Sequence, residues 1–392
     1  MEHKPSDVFK KPARTMIVGV GGAGLHVVNV LLKQDMDYPP MVVVDTDGRA
    51  LEHSMAPQRL QIGTGVTEGL STGGDADLGR RAANEDFVKI RELFSDTDMV
   101  LLVAGLGGGV GSGALPVLAQ TARDEGALVI SMVSMPLALE GQDRRDVADR
   151  AIELAGRASH TMICHELPEA KQQDDPDNQD AALPSVLDAT AQLVGLRIRV
   201  LWKLLEQPGL FSVDFAGLRH VIQEAGRRCF MFTAEASGKN RASLIVKRIK
   251  QQMTGADITL EESGGVMLGF LGPEDLTLAE MELIVREITA DMPAGTRRQI
   301  GVALESQARS TMQAIVLAGG KNEHKPEEPA TPSDVTAGAK RPGYLKSPIQ
   351  KEIEFDTMKG ARGRFNNVEP TFHNGEDLDT PTYIRRGMKL SR

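Results

Sequence analysis

The sequence feature that most constrains the fold is a dense glycine cluster between an apolar segment and a helical one. Six of the nine residues from Gly105 to Gly113 are glycine, and each glycine costs backbone entropy on folding. Residues 99–104 predict a buried strand, and residues 115–125 predict a helix. Such a cluster suits backbone N–H groups that close around an anion, and an ordinary turn is the less favoured alternative. The residues of this predicted phosphate loop are Gly107, Gly108, Gly109, Val110, Gly111, Ser112 and Gly113.

A second glycine loop, Gly19–Gly24, matches the pattern G-x-G-x-x-G. It follows a predicted strand at 15–20, opens a predicted helix, and is followed by Asp45 at the end of the next strand. Taken alone this is the dinucleotide fingerprint, which is weak evidence because a plain glycine turn also explains it. Two such loops in one sheet, however, predict a ligand with several phosphates. The candidates in this loop are Gly21, Gly22, Ala23 and Gly24.

Two further segments carry candidate ligand-binding side chains. In residues 67–75, the small and hydroxyl-bearing side chains predict either a cover over a terminal phosphate or a surface turn. The candidates there are Ser71, Thr72 and Gly73. In residues 135–144, Glu140 is predicted to hold ribose hydroxyls and Arg144 to stack on or pair with the nucleotide, with a solvated salt bridge as the alternative.

Apolar strands, among them those predicted at 15–20 and 41–45, alternate with helices such as the one predicted over 78–93 along the first half of the chain, which predicts a parallel sheet covered on both faces. Ligands of such sheets bind at the carboxyl ends of the strands. We predict the α/β class, with a Rossmann-like nucleotide-binding domain, a long central helix, a second smaller α/β domain, and a disordered C-terminal linker that ends in a docking peptide. The predicted segments are a polar tail at 1–13, the nucleotide-binding domain at 14–184, the helix at 185–207, the second domain at 208–319, the linker at 320–375 and the peptide at 376–392.

Composition excludes several classes of protein. The formal net charge of −9 argues against duplex nucleic acid as the main partner. The sequence has no run of eighteen apolar residues, so we expect no transmembrane helix. Residues 1–11 lack the apolar core of a secretory signal. Cys164 and Cys229 have no metal-binding spacing and suit a reducing compartment. We therefore expect a cytoplasmic protein without direct membrane insertion, nucleic-acid partner or protein-held metal.

Several motifs, in their order along the chain, resemble the bacterial tubulin homologue FtsZ over about 300 of the 392 residues and at the extreme C-terminus. The first glycine cluster is similar to that family's G-G-G-T-G-T-G phosphate loop. Residues 45–51 are similar to its N-T-D-x-x-A-L, residues 136–144 to its ribose loop, and residues 208–216 to the segment after its central helix.

This resemblance implies a GTP/GDP-binding protein with Mg²⁺ that polymerises head to tail into filaments of the cytokinetic ring, at mid-cell on the inner face of the membrane. It implies that residues 208–319 are the GTPase-activating domain, because the next subunit's segment after the central helix polarises the attacking water. A heterologous contact that repeats without closing gives a filament. Hydrolysis then depends on assembly.

The segment that resembles the catalytic loop departs from the family. Asp214 matches its first acid, but Gly217 stands at the second acid and Ser212 at an Asn. Because a lost base or electrostatic group costs about 10²–10⁴-fold in rate, we expect slow hydrolysis. Capping of the helix that follows is the alternative role for Asp214, and the two roles are compatible.

The nucleotide-binding motifs depart less. Val110 removes a hydroxyl from the phosphate loop. Leu25 and His26 stand where the family has a Gly and an Asn, next to the Gly19–Gly24 loop, and His26 is expected at the nucleotide edge or at the helix start rather than as a catalyst. On the central helix, Leu187 aligns with the residue that stacks on the base and Gln192 with the one that reads guanine. Asp45 stands beside Asp47, where contact with ribose or Mg²⁺ and a plain strand-end acid are both open.

The C-terminal peptide resembles the family tail that docks on membrane-tethering division proteins. A peptide of this kind orders in a partner's groove. Its predicted anchors and charges are Leu378, Pro381, Tyr383, Ile384, Arg385 and Arg386.

Two rival functions follow from parts of the sequence. A structural tubulin-like filament protein with a nucleotide that is never hydrolysed would fit the depleted catalytic segment. A nicotinamide-dependent oxidoreductase would fit the Gly19–Gly24 loop alone, but it leaves the glycines from Gly107 to Gly113 unexplained.

Overall fold

The computed structural model describes residues 13–34, 36–165, 183–206, 211, 213–256, 258–261, 263–293, 295–305, 310–319, 372–373 and 376–377. Residues 1–12 of the predicted tail at 1–13, nearly all of the predicted linker, the docking residues from Leu378 onward and Ser212 lie outside these residues. The chain divides into two compact units, Met1–Glu328 and Pro329–Arg392.

The first unit is built on one mixed sheet of ten strands in its described part. The strand order across the sheet is β3-β2-β1-β4-β5-β6-β7-β10-β8-β9. The strands are β1 (Thr15–Val20), β2 (Met41–Asp45), β3 (Gln58–Gln61), β4 (Met99–Gly105), β5 (Leu128–Ser134), β6 (Thr161–His165), β7 (Arg228–Ser237), β8 (Gly265–Gly272), β9 (Arg297–Leu304) and β10 (Thr311–Gly319).

The strands from β3 to β7 are all parallel, which confirms the predicted parallel sheet. Beyond β7 the sheet becomes mixed, because β10 runs antiparallel to both β7 and β8. β6 and β7 share only two Cα pairs, Met162 with Arg228 and Ile163 with Cys229. The sheet therefore continues from the first half of the chain into the second through a short joint.

Eleven α-helices cover the sheet in the described residues. They are α1 (Gly21–Leu32), α2 (Gly48–Glu52), α3 (Thr64–Thr67), α4 (Ala76–Glu85), α5 (Phe87–Phe94), α6 (Gly109–Asp124), α7 (Gln142–Ala158), α8 (Leu183–Glu206), α9 (Phe215–Ala225), α10 (Arg241–Gly255) and α11 (Leu278–Ile288).

Alternate residues of the parallel strands enter two different cores, as the period of two in a strand requires. On one face, residues such as Ile17 and Leu101 pack with α1, α8 and α9, and this core continues to Leu317 of β10. On the other face, residues such as Val18 and Leu102 pack with the helices from α4 to α7. A third core lies between the mixed strands and the helices α10 and α11.

The helix α8 joins the two halves of the sheet. Its 24 residues span about 36 Å at 1.5 Å per residue. Near its end, Leu204 packs on Gly269 so closely that a Cβ on the glycine would lie 2.1 Å from Leu204 Cδ1. Arg199 Nη2 donates to both carboxylate oxygens of Glu305 at 2.9 Å. The half-buried Trp202 donates from Nε1 to the carbonyl of Asp37 at 2.9 Å.

Three element predictions need correction. The helix predicted over 78–93 is two helices, α4 and α5, which meet at Asp86, because the Asp86 carboxylate accepts a hydrogen bond from the N–H of Gly63 at 2.7 Å. The helix predicted to start at Leu115 begins at Gly109, inside the glycine cluster. The strands β3 and β9 carry too little apolar alternation to be predicted. Among the described residues, no helix has both the length and the apolarity that crossing a bilayer requires.

In the second unit, the described residues form two paired strands, β11 (Phe372–His373) and β12 (Glu376–Asp377). The antiparallel pairing places Phe372 opposite Asp377.

Candidate functional site

A cavity of about 620 Å³ lies at the carboxyl ends of β1, β4 and β5. Its volume is typical of a site for a small ligand, and its position is the one that open α/β sheets use for binding. The first turns of α1 and α6 form its floor, and residues of α8 form one wall. Most of the segments that carry candidate ligand-binding residues therefore line this cavity.

The floor of the cavity consists of backbone at two helix N-termini. α1 begins at Gly21 and α6 at Gly109, so much of each predicted loop is a first helical turn. The first N–H groups of a helix have no intrahelical acceptor. Neither helix has a side-chain cap or an acidic residue in its first turn. Both helices therefore present free donors and a positive dipole end to the cavity, which favours phosphate.

Glycine is required at these helix starts for two different reasons. A Cβ on Gly111 would lie 2.1 Å from the carbonyl oxygen of Gly105, and one on Gly24 would lie 2.4 Å from that of Val103. These two glycines allow helix and strand to pack closely. A Cβ on Gly22 or Gly108 would meet nothing within 4 Å, and both residues line the cavity. These two leave space that a ligand can fill.

The structure separates the predicted loop residues into lining and supporting positions. The lining residues are Gly21, Gly22, Ala23, His26, Gly108, Gly109, Val110 and Gly111. The residues Gly24, Leu25, Gly107, Ser112 and Gly113 lie outside the lining. Ser112 is buried, and its Oγ accepts a hydrogen bond from the N–H of Gly107 at 2.8 Å. The hydroxyl of Ser112 thus stabilises the loop by a hydrogen bond inside it and is not directed to the cavity.

Between α3 and α4, the hydroxyl-rich segment reaches the cavity. Ser71 and Thr72 line it, and Gly74 does so in place of the predicted Gly73. Thr72 is buried against the start of α6, since a Cβ on Gly109 would lie 2.1 Å from its Oγ1. This arrangement suits the prediction of a cover over the ligand better than a surface turn.

Asp45 at the end of β2 lines the cavity, whereas Asp47 does not. Asp45 Oδ1 accepts hydrogen bonds from the N–H groups of Thr46 at 2.7 Å and Asp47 at 3.2 Å. Burial raises the pKa of the Asp45 carboxyl above its usual range. Asp47 caps α2 by accepting from the N–H of Arg49 at 2.9 Å. In the described part of the chain, no group of three or more acidic, His or Cys side chains could hold a metal ion.

Glu140 and Arg144 both line the cavity, and their side chains form an ion pair with each other. Glu140 lies in a 3₁₀ turn at Ala138–Glu140, and its Oε1 accepts a hydrogen bond from the N–H of Leu137 at 2.9 Å. The side chain is therefore held in place by backbone. The structure shows the salt bridge given as the alternative, at the wall of the cavity, and contact with a ribose stays a prediction.

The wall from α8 differs from the sequence-based prediction. Leu187 lines the cavity, but Gln192 is exposed and does not. Asp188 lines it instead, and its Oδ1 lies 2.8 Å from Nε2 of His26. Residues on one helical face recur every three or four positions, so Asp188 lies about one turn before Gln192 on α8. An acid at this spacing was the available sequence signal for Asp188.

The candidate catalytic segment lies at the far end of α8 from the cavity. Val213 packs on Gly301 of β9, where Leu204 also packs. From Asp188 to Leu204, α8 rises by about 24 Å at 1.5 Å per residue. Asp214 follows directly, and it is exposed and absent from the cavity lining. It cannot reach a ligand held in its own chain's cavity.

Asp214 performs the capping role predicted as one of its two alternatives. Its Oδ1 accepts a hydrogen bond from the N–H of Gly217 at 2.6 Å, which satisfies a donor in the first turn of α9. Position 217 is a buried glycine, so it contributes no side chain to the segment. The segment therefore offers a single carboxylate, fixed at a helix start.

Comparisons with known proteins agree with this arrangement. Residues 14–167 match the Tubulin/FtsZ family, GTPase domain. A cell division protein FtsZ from Azotobacter vinelandii is 31% identical over 314 residues, which cover 80% of this chain and 79% of that protein. One from Pseudomonas putida is 29% identical over 385 residues, which cover 94% and 96% respectively.

A solved structure shares the fold. An empty FtsZ dimer from M. jannaschii superposes with a TM-score of 0.74 at 25% sequence identity, covering 81% of this chain and 93% of that one. With the relatives above, this likeness extends over both halves of the ten-stranded sheet. The chain therefore belongs to the Tubulin/FtsZ family, as a divergent member of its FtsZ group.

Proposed function

We propose that the protein is a GTP-binding filament subunit of bacterial cell division, which polymerises head to tail in the cytokinetic ring and hydrolyses GTP slowly and only when assembled. The relatives that it resembles over most of its length are named cell division proteins. In this proposal the predicted nucleotide-binding segment at 14–184 binds the nucleotide, α8 is the connecting helix in place of the predicted 185–207, and the predicted segment at 208–319 activates hydrolysis in a neighbour.

The observation that carries the proposal is the separation of the cavity from Asp214. Asp188 beside the cavity and Leu204 beside the segment of Asp214 are about 24 Å apart along α8, so one chain contains two halves of a hydrolytic site that cannot meet. A second copy stacked end to end would bring its Asp214 to the first copy's cavity. Because this contact joins different surfaces, it repeats without closing and gives a filament.

Within the cavity, we propose that the helix starts of α1 and α6 hold the phosphates, with Ser71 and Thr72 over the terminal one. Glu140 would hold the ribose hydroxyls, and the wall of Leu187 and Asp188 would hold the base. A Mg²⁺ ion would be bound chiefly by the phosphates and water, as it usually is, with Asp45 as the carboxylate on the cavity wall. When bound, Mg²⁺ neutralises charge on the phosphates.

We further propose that the C-terminal peptide docks on membrane-tethering division proteins, which would place the filament at mid-cell on the cytoplasmic side of the membrane. The support is the sequence of the peptide, in which apolar anchors precede Arg385 and Arg386. Deletion of residues 378–392 should abolish recruitment to membrane-bound partners while it leaves filament formation in GTP unchanged.

The proposal is tested by complementation between two inactive variants. Gly108→Val fills the open side of the phosphate site, and Asp214→Ala removes the carboxylate. Each variant alone should release phosphate from GTP and Mg²⁺ at least about 100-fold more slowly than the unaltered chain. An equimolar mixture should recover turnover, because an Asp214 from one copy then serves the cavity of the other. No recovery in the mixture, or turnover that does not rise with protein concentration, would contradict a shared site.

The capping role of Asp214 needs its own control. Asp214→Asn and Asp214→Ala both remove the carboxylate, but Asn still caps a helix, whereas Ala costs about 1 kcal/mol of stability. If the carboxylate acts in hydrolysis, both variants should lose turnover equally while only Asp214→Ala lowers the thermal unfolding midpoint. Normal turnover in Asp214→Asn would reduce Asp214 to a cap.

A non-hydrolysing filament protein is the second candidate. The observation in its favour is that Asp214 is engaged as a helix cap and has no second acid beside it at position 217. This candidate requires filaments that are the same in GTP and in a non-hydrolysable analogue, with no phosphate released. Identification of the nucleotide released on denaturation would show in either case whether it is guanine.

A further inference from the structure

The space beside Gly217 is occupied by a side chain from another element. A Cβ built on Gly217 would lie 3.2 Å from both Cδ and Oε1 of Gln299, and 2.9 Å from Oδ1 of Asp214. Gln299 lies in the middle of β9, opposite Met267 of β8, and is half-buried. A carboxamide thus stands next to the Asp214 carboxylate, where a longer side chain at position 217 would begin.

The strand fixes the direction of this carboxamide. Residues two apart in a strand face the same side, and Gly301 is covered by Val213 and Leu204 from the segment around Asp214. Gln299 therefore faces α9, while its neighbours Arg298 and Ile300 face the opposite side of the sheet and line a groove next to α11. The register of β9 against β8 sets the backbone position of Gln299.

We propose that Gln299 is a water-positioning residue for GTP hydrolysis, and that with Asp214 it forms a carboxylate–carboxamide pair in place of two acids. This inference rests on the proposed function, since the pair acts on the nucleotide of the next subunit. A carboxamide both donates and accepts hydrogen bonds, so it can hold a water at a fixed angle. In other GTPases a Gln orients the attacking water in the same way.

The chemistry divides between the two side chains. The water oxygen forms a bond to the γ-phosphorus, and the bond from that phosphorus to the β–γ bridging oxygen breaks, which leaves GDP and phosphate. Asp214 accepts one water proton, which passes on to the phosphate product or to solvent. Gln299 orients the water but cannot take up the proton. A site with one acceptor is therefore expected to be slower than a site with two acids.

The first test compares Gln299→Leu with Gln252→Leu. Gln252 lies on α10, where its amide donates to the carbonyl of Thr233 at 2.8 Å, so it controls for loss of a half-buried amide away from Asp214. Phosphate release from GTP and Mg²⁺ is measured per polymerised subunit, with polymer determined by sedimentation. Gln299→Leu should reduce release about tenfold or more with the amount of polymer unchanged, and Gln252→Leu should not. Equal release per polymerised subunit in Gln299→Leu overturns the inference.

A second test uses the crowding at position 217. An acid introduced by Gly217→Asp must compete with Gln299 for the same space, so it should raise turnover little or lower it. In the double variant Gly217→Asp with Gln299→Ala the acid has room, and turnover should exceed that of Gln299→Ala alone. A large gain from Gly217→Asp in the presence of Gln299 would mean that the acid and the amide do not compete for one place, and would overturn the inference that Gln299 stands in for the second acid.

Failure of this inference can be told apart from failure of the proposed function. If Asp214→Ala abolishes release but Gln299→Leu does not change it, only the role of Gln299 is wrong. If the unaltered chain releases no phosphate at any concentration, both proposals are wrong. Recovery of turnover in Gln299→Glu relative to Gln299→Leu would support direct contact with the water, because the carboxylate can still accept a hydrogen bond from it whereas leucine cannot.

Discussion

The two ends of α8 differ in what holds their chemistry. At the cavity end, the floor is made of main-chain N–H groups at two helix starts, and the side chains that differ from the family, such as Val110, leave that backbone intact. At the other end, the proposed chemistry depends on the side chains of Asp214 and Gln299. A site built from backbone tolerates substitution of its side chains, whereas one built from two side chains changes with each of them. Under the proposed function, the contrast accounts for a protein that keeps phosphate binding while its hydrolysis is slow.

The largest expected effect tests the backbone end. Gly108→Val should lower GTP affinity at least about 100-fold, because a Cβ at this position meets no protein atom within 4 Å and its side chain extends into the space that a ligand would fill. Gly156→Ala, on α7 and away from the cavity, is the control. Titration with a fluorescent GTP analogue measures the affinity, and far-ultraviolet circular dichroism shows that the fold is kept. Unchanged affinity in Gly108→Val would mean that the helix starts do not bind the phosphates.

An intermediate effect is expected at the base end of the cavity. Asp188→Ala should reduce the preference for GTP over ATP by about tenfold, because a carboxylate that accepts from the guanine edge contributes on the order of 1–3 kcal/mol of discrimination. Gln192→Ala, exposed and outside the cavity, should leave that preference unchanged. Competition between GTP and ATP for the bound analogue measures it. A loss of the preference in Gln192→Ala but not in Asp188→Ala would mean that Gln192, and not Asp188, reads the base.

The smallest effect separates the two halves by their response to acid. Burial lowers the pKa of His160, before β6, to about 4 from 6.5, and its Nδ1 accepts from the N–H of Val129 at 3.0 Å. Hydrogen bonds from Arg241 lower the pKa of Glu280, on α11, to about 2 from 4.5. Both groups bind protons less readily when folded, so their stabilisation is complete above their unfolded pKa values and is lost as the pH falls.

His160 should therefore lose its contribution between pH 6.5 and 4, and Glu280 should lose its own between pH 4.5 and 2. Partial exposure reduces each to about 1–2 kcal/mol. Urea unfolding at a series of pH values measures this. His160→Asn should reduce the pH dependence of the free energy of unfolding between pH 6.5 and 4, and Glu280→Gln should reduce it between pH 4.5 and 2. If one variant reduced the pH dependence of the free energy of unfolding equally in both pH ranges, the two halves would not respond to acid separately.

Sequence reasoning predicted the sheet well where the strands are apolar throughout. β1 and β2 begin and end where predicted, because runs such as Met41–Asp45 are buried along their whole length. β3 and β9 were missed because both begin with exposed polar residues, as in Arg297 and Arg298. Edge strands of this kind carry little hydrophobic signal.

The site was predicted most successfully where glycine spacing encodes it and least where tertiary contacts decide. Gly21, Gly109 and Gly111 line the cavity as predicted. Helical spacing places Asp188 one turn before Gln192, but only the packing of α8 decides that Asp188 and not Gln192 lines the cavity. The neighbourhood of Gly217 depends on Gln299, 82 positions further along the chain, and only the register of β9 brings the two together.

The chain contains a single tryptophan, Trp202, whose indole donates to the carbonyl of Asp37 in the segment that follows α1. Its intrinsic fluorescence therefore reports from one place, the contact between the connecting helix and the segment preceding β2. An axial shift or rotation of that helix during assembly would break the indole hydrogen bond and alter solvent access to the ring. The emission maximum of Trp202 would then change, so its intrinsic fluorescence can follow the conformation of the subunit without an introduced label.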